Sequence, residues 1–147
     1  NYYYFCSKVL CKTVNFFLAM QPYTIVINSN FEELWRYNIA VMASVRSAEE
    51  EVEFLKHTSE VAPVGAELTE VPKGYNPNRR VELHTKAGTA LTLYIYVIPH
   101  TLPRTTDVTD AKPFELEVEV KHGRERLFHR MTEVNQWSGE NIEIVLG

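Results

Sequence analysis

Apolar and polar residues alternate with period two along most of the chain. Tyr23, Ile25 and Ile27 share one parity and run into Asn28-Ser29-Asn30, a turn cluster. Tyr37, Ile39, Val41, Ala43 and Val45 repeat the pattern over a long stretch, 35–46. Val52 and Phe54 follow, and Leu68 centres a short strand predicted at 66–71 and closed by Pro72-Lys73-Gly74. Val81, Leu83 and Thr85 alternate with Arg80, Glu82 and His84, and Leu91, Leu93, Ile95 and Val97 with Thr92, Tyr94 and Tyr96. The clearest case sets Phe114, Leu116, Val118 and Val120 against Glu115, Glu117, Glu119 and Lys121. One apolar and one charged face is the signature of an antiparallel sheet with one side in water. His122-Gly123 predicts a turn, a return strand follows over 125–132, and Ile142, Ile144 and Leu146 mark the last strand.

Only two stretches carry helical signals: 31–35 behind an Asn30 cap, and 47–51. Eight or nine short strands without intervening helices predict an all-β fold. An antiparallel two-sheet β-sandwich is preferred over a barrel, because strands as long as 35–46 and 89–98 can cross a sandwich edge to edge. The pattern suits an immunoglobulin-like, C2-like or transthyretin-like sandwich. The Cys…Trp…Cys spacing of antibody-type domains is missing after residue 19, and no motif singles out one family.

Composition changes the picture at the N-terminus. Residues 1–19 hold both cysteines, two lysines and no acid. The rest carries 13 basic (15 − 2) and 19 acidic residues, a formal −6 against −4 for the whole chain. The preferred reading of 1–19 is a tail or a mis-assigned upstream segment with Met20 as the start; a degenerate export or anchor segment and a packed N-terminal element are the alternatives. Residues 20–147 are then a single sandwich domain, cytoplasmic if Met20 is the start and otherwise of the cell envelope. No apolar run reaches the length of a transmembrane helix. The acidic balance argues against nucleic acid as a partner.

Motifs for catalysis are missing: no GxSxG elbow, no phosphate loop, and no HExxH or HxH pair among His57, His84, His100, His122 and His129. A metal site of His84, His129 and Glu82 requires their strands to be neighbours; otherwise all five histidines are solvated. Asp107 and Asp110, in the long connection 99–113, are too few for calcium without help from another loop. The expectation is therefore no enzyme, no cofactor and no metal.

Binding chemistry is more visible. Trp137, in Asn135-Gln136-Trp137-Ser138-Gly139, either stacks on a sugar ring while the amides of Asn135 and Gln136 bind hydroxyls, or folds back to plug an end of the sandwich. Tyr75 and Asn76 occupy a second exposed-looking loop, and Tyr94 and Tyr96 form a binding surface if their face stays uncovered. Arg79-Arg80, Arg104, Arg124, Arg126 and Arg130 form a basic patch, or else Arg124, Arg126 and Arg130, which share strand parity, pair across a hairpin with Glu115, Glu117 and Glu119. The expected function is protein–protein interaction or self-association through loops 72–78, 99–113 and 133–140 or a strand edge. The alternative is a carbohydrate-binding module that uses the loop aromatics.

Overall fold

The computed structural model describes residues 20–147. The tail read over 1–19 lies outside them. The alternation resolves into eight strands: β1 (Gln21–Asn28), β2 (Tyr37–Ser47), β3 (Glu50–Ser59), β4 (Val81–Gly88), β5 (Ala90–Pro99), β6 (Phe114–His122), β7 (Glu125–Val134) and β8 (Glu140–Leu146). They form two antiparallel four-stranded sheets, in the orders β4-β1-β6-β7 and β3-β2-β5-β8. The fold is all-β, with two sheets facing one another as a sandwich. The parities read from the sequence meet between them: Ile25, Ile27, Leu116, Val118 and Val120 face Ile39, Val41, Leu93, Ile95 and Ile144, all buried. Each side chain of this kind contributes roughly 1.5–3 kcal/mol when fully buried.

Three local expectations fail. Residues 66–71 form no strand. Glu67 adopts φ +49°, which breaks the extended run just before Leu68, and the Leu68 amide bonds to the Thr101 hydroxyl (3.0 Å) instead of to a ladder. The helical signal at 47–51 becomes a two-residue hairpin turn, with Ala48 at φ +54° and Ser47 paired to Glu50. The β-branched Val41, Val45 and Val52 on either side commit both arms to the sheet. At 31–35 only a single 3-10 turn forms, Leu34–Arg36; its N-cap is Glu33, without a side-chain capping bond, and not Asn30, while the Ser29 hydroxyl oxygen accepts from Phe31 N (3.2 Å) upstream of it.

The arginines form no common patch. Arg79 is drawn inward, and Arg80 pairs with Glu82 (3.0 Å). An extra residue in β7 opposite Val120/Lys121 turns Arg126 onto the acidic face, 3.6 Å from Glu119, while Arg130 stays opposite Val118 on the core side. Parity counted straight through that bulge is therefore wrong. The expected pairing is only partly made: Glu119 meets Lys121 and Arg126, and Glu117 meets His129 at 2.8 Å. An exposed charge on the core-side face of an edge strand, such as Arg130, also blunts edge-to-edge pairing.

Each strand runs from one end of the sandwich to the other, so connections alternate between the ends. Residues 48–49, 89 and 123–124 make tight turns at one end. The four longer connections, 29–36, 60–80, 100–113 and 135–139, all gather at the opposite end. Gly139 closes the shortest of these at φ +72°, where a Cβ would run into the Val97 carbonyl oxygen. Gly74 has a similar φ of +84° but open space around it. Gly139→Ala is expected to cost at least about 3 kcal/mol and Gly74→Ala about 1 kcal/mol in chemical denaturation, the difference being the collision. Equal costs would contradict this packing.

Candidate functional site

The long-loop end is built around the residues that lead into β2. Arg36 is only 3% exposed. Its Nη2 bonds to Glu33 Oε2 (3.0 Å) and to Gln136 Oε1, its Nη1 reaches the Thr101 carbonyl (3.4 Å), and the guanidinium lies 5.4 Å from the centre of the Tyr37 ring. The Arg36 carbonyl accepts from His100 N (2.9 Å) and Thr101 N (3.3 Å). His100 is buried, which corrects the solvated reading. Its Nε2 donates to the Trp35 carbonyl (2.7 Å), since a carbonyl only accepts, and the Thr101 hydroxyl then donates to Nδ1 (2.8 Å).

Two further side chains tie down the 60–80 connection. Asn38 is buried and donates to the Ala62 carbonyl (2.6 Å), while its Oδ1 accepts from Val61 N (2.8 Å). Arg79 donates to the Ser59 hydroxyl (2.9 Å), the Ser59 carbonyl (2.6 Å) and the Tyr37 carbonyl (2.9 Å). Burial of its guanidinium lowers the Arg79 pKa from its ordinary value. Buried polar groups at this end are thus spent mainly on loop backbone, where unpaired N–H and C=O groups would cost most. Arg36 Nε and Trp137 Nε1 are buried and find no hydrogen-bond partner among the described residues.

The loops held in this way present apolar side chains to water. Val64 is 71% exposed and Val71 52% on one loop; Leu102 is 51% and Val108 64% on the next. A cleft of about 220 Å³ between the two loops is lined by Leu68, Leu102 and Arg104, among others. A larger one of about 510 Å³ separates 28–32 from 77–80.

Three of the expected docking segments (72–78, 99–113 and 133–140) come together at this end. The individual residues fare differently. Gln136 is buried and fully engaged: its Nε2 donates to the Lys112 carbonyl (2.7 Å), its Oε1 accepts from Arg36, and its carbonyl accepts from the Tyr37 hydroxyl (2.7 Å). Gln136 is thus anchored at this end beside Trp137, which is half-buried with its indole Nε1 buried. Asn135 Oδ1 accepts from Trp137 N (2.9 Å) and Ser138 N (3.1 Å), and builds its own turn. Asn76 does the same for Asn78 (3.0 Å), beside a half-buried Tyr75. Tyr94 and Tyr96 lie elsewhere, on the outer face of β3-β2-β5-β8, against which no other described strand packs, with the Tyr94 hydroxyl donating to Glu143 (3.1 Å).

His84 and His129 sit on β4 and β7, at opposite edges of one sheet with two strands between them, so their strands are not neighbours. Asp107 is a capping residue: its carboxylate accepts from Thr109 N (2.9 Å) and the Thr109 hydroxyl (2.7 Å), and these bonds lower its pKa. Among the described residues no three His, Cys, Asp or Glu side chains are placed to hold a metal ion. No helix among them is long and apolar enough to cross a membrane.

Sequence reasoning missed Arg36, Asn38 and His100, which sit at polar parities and carry no motif. It also missed Val64, Val71, Leu102 and Val108. The available signal for these was an isolated aliphatic residue in a Pro/Gly/Thr-rich loop. Compared with protein-family models, with curated proteins and with solved structures, the chain matches none of them.

Burial raises the Tyr37 pKa to about 12, with the neighbouring Arg36 charge acting in the opposite direction. The unfolded phenol ionises near 10, so stability from this group is complete below about pH 10 and is lost as pH rises towards 12. Tyr23 shifts the same way, also through burial. Tyr37→Phe is expected to cost about 1 kcal/mol at neutral pH and to flatten the decline between pH 10 and 12. Denaturation across that range checks it; an unchanged alkaline slope would contradict the assignment.

Proposed function

We propose that this protein is a non-catalytic binding module that takes a protein partner on its long-loop end. The observation that carries the reading is the pair of loops 60–80 and 100–113, fixed by buried polar side chains yet presenting Val64, Val71, Leu102 and Val108 to water. Exposed aliphatic residues on a pre-organised backbone lower the ordering cost of association, and their burial supplies the favourable term. The lining of the clefts at this end adds support: amide, hydroxyl, charged and apolar groups from separate loops suit an extended chain more than a small rigid molecule.

The carbohydrate reading draws less support. It takes its hydrogen-bonding groups from Asn135, Gln136 and Asn76, and the carbonyl oxygens of all three amides are already engaged within the domain.

The test is affinity capture from the native lysate by the full chain and by Leu102→Asp and Val108→Asp variants, read by quantitative mass spectrometry. Both side chains are exposed, so the variants are expected to fold with unchanged stability, within about 0.5 kcal/mol. A stoichiometric protein captured by the wild type and depleted about tenfold by either variant is the expected result. Capture insensitive to both variants would contradict a partner site at this end.

A further inference from the structure

We propose that the outer face of β3-β2-β5-β8 is a homodimer interface, in which a second copy packs face to face about a two-fold axis parallel to the strands and midway between β2 and β5. This goes beyond the proposed loop-end site and uses a different surface.

The argument rests on register. Side chains that point away from the core form a grid whose rows are given by the strand pairings. One row reads Phe54, Ser44, Thr92, Val145 across the four strands; the next Lys56, Met42, Tyr94, Glu143; the third Thr58, Ala40, Tyr96, Asn141. A two-fold axis along the strands lays β3 of one copy over β8 of the other, and β2 over β5. Each row then meets itself reversed. Lys56 falls on Glu143, opposite charges, and this occurs twice. Phe54, 58% exposed, falls on Val145, 65% exposed, so two apolar side chains left in water by the monomer cover one another. Thr58 falls on Asn141, a polar pair. In the middle, Met42 meets Tyr94 and Ala40 meets Tyr96, a smaller aliphatic group under each ring, and Ser44 meets Thr92.

The other two-fold arrangement, with its axis across the strands, is rejected by the same grid. It places Lys56 on Lys56 and Glu143 on Glu143, and moves Phe54 onto Thr58. Like charges placed opposite one another cost affinity. Among the described residues Lys56 makes no ion pair within its own chain. A self-complementary patch is the requirement for an isologous two-fold contact. Packed sheets prefer an angle near −30°, which shifts the outer pairs by only about half a row. Four strands about 4.8 Å apart and four rows about 6.8 Å apart, the fourth being Glu51, Arg46 and Ala90 beyond Ser44 and Thr92, give roughly 500 Å² per copy. The total, about 1,000 Å², is at the lower bound of a specific interface, so the dimer is a weak one.

Sedimentation velocity of the full chain, from micromolar to several hundred micromolar, tests this with a charge-swap cycle. Wild type is expected to show a concentration-dependent monomer–dimer equilibrium. Lys56→Glu and Glu143→Lys, each of which creates two like-charge contacts, are expected to raise the dimer Kd about tenfold or more. The double variant K56E/E143K is expected to return to within about threefold of wild type. Met42→Lys, at the centre, is expected to abolish dimerisation, with its folding checked by circular dichroism. Leu102→Asp is expected to leave the equilibrium unchanged, which separates this surface from the loop end. A monomer throughout the range, or a dimer that ignores the single reversals or is not restored by the double variant, would overturn the proposal.

Discussion

A guanidinium out of water is the constraint on which the long-loop end depends. Leaving Arg36 buried and uncompensated would cost several kcal/mol, so its position dictates what must surround it. Glu33, Gln136 and the Thr101 carbonyl each come from a different stretch of chain and converge on it. Its own carbonyl organises His100 and Thr101, and the Thr101 hydroxyl holds Leu68. Connections that are remote in sequence are thereby referred to one side chain. The hydrophobic core between the sheets supplies the general stability but says little about where these loops go, because apolar burial is non-directional.

The two ends of the sandwich differ accordingly. The tight-turn end is specified locally, by residues that accept positive φ such as Gly123, and by the strands' need to reverse. At the other end, chain too long for a turn leaves backbone polar groups that the sheets cannot satisfy. Asn38, Arg79, His100 and Gln136 satisfy many of them with side chains. Loops fixed in this way can present Val64, Val71, Leu102 and Val108 in a defined arrangement. That is what a recognition surface needs and what a merely floppy connection would lack.

The sheets were legible in the sequence because burial on one face imposes period two. The runs around Ile39, Leu93 and Val118 are continuous enough to give strand and buried face together, while the sheet each strand joins depends on long-range pairing. Legibility ended where parity did. The bulge in β7 reversed the facing of Arg126 relative to Arg130, and Glu67 in the left-handed region removed a strand that the residues around Leu68 suggested. The site was legible only as a set of loops. Gln136 is buried because its amide serves the Arg36 guanidinium and the Lys112 carbonyl at once, a demand no local pattern records. Arg36, Asn38 and His100 were invisible for the same reason: a polar residue at a polar position reads as solvated until long-range contacts bury it.

The claim that one buried charge organises the loop-bearing end is tested most directly by native-state hydrogen exchange on Arg36→Met, which keeps the stem and removes the charge. The account predicts that the amides of Val61, Leu68, His100 and Thr101 lose about tenfold or more of their protection while those of β1, β2, β5 and β6 keep theirs. Uniform loss across all eight strands, or no loss at the four loop amides, would contradict it.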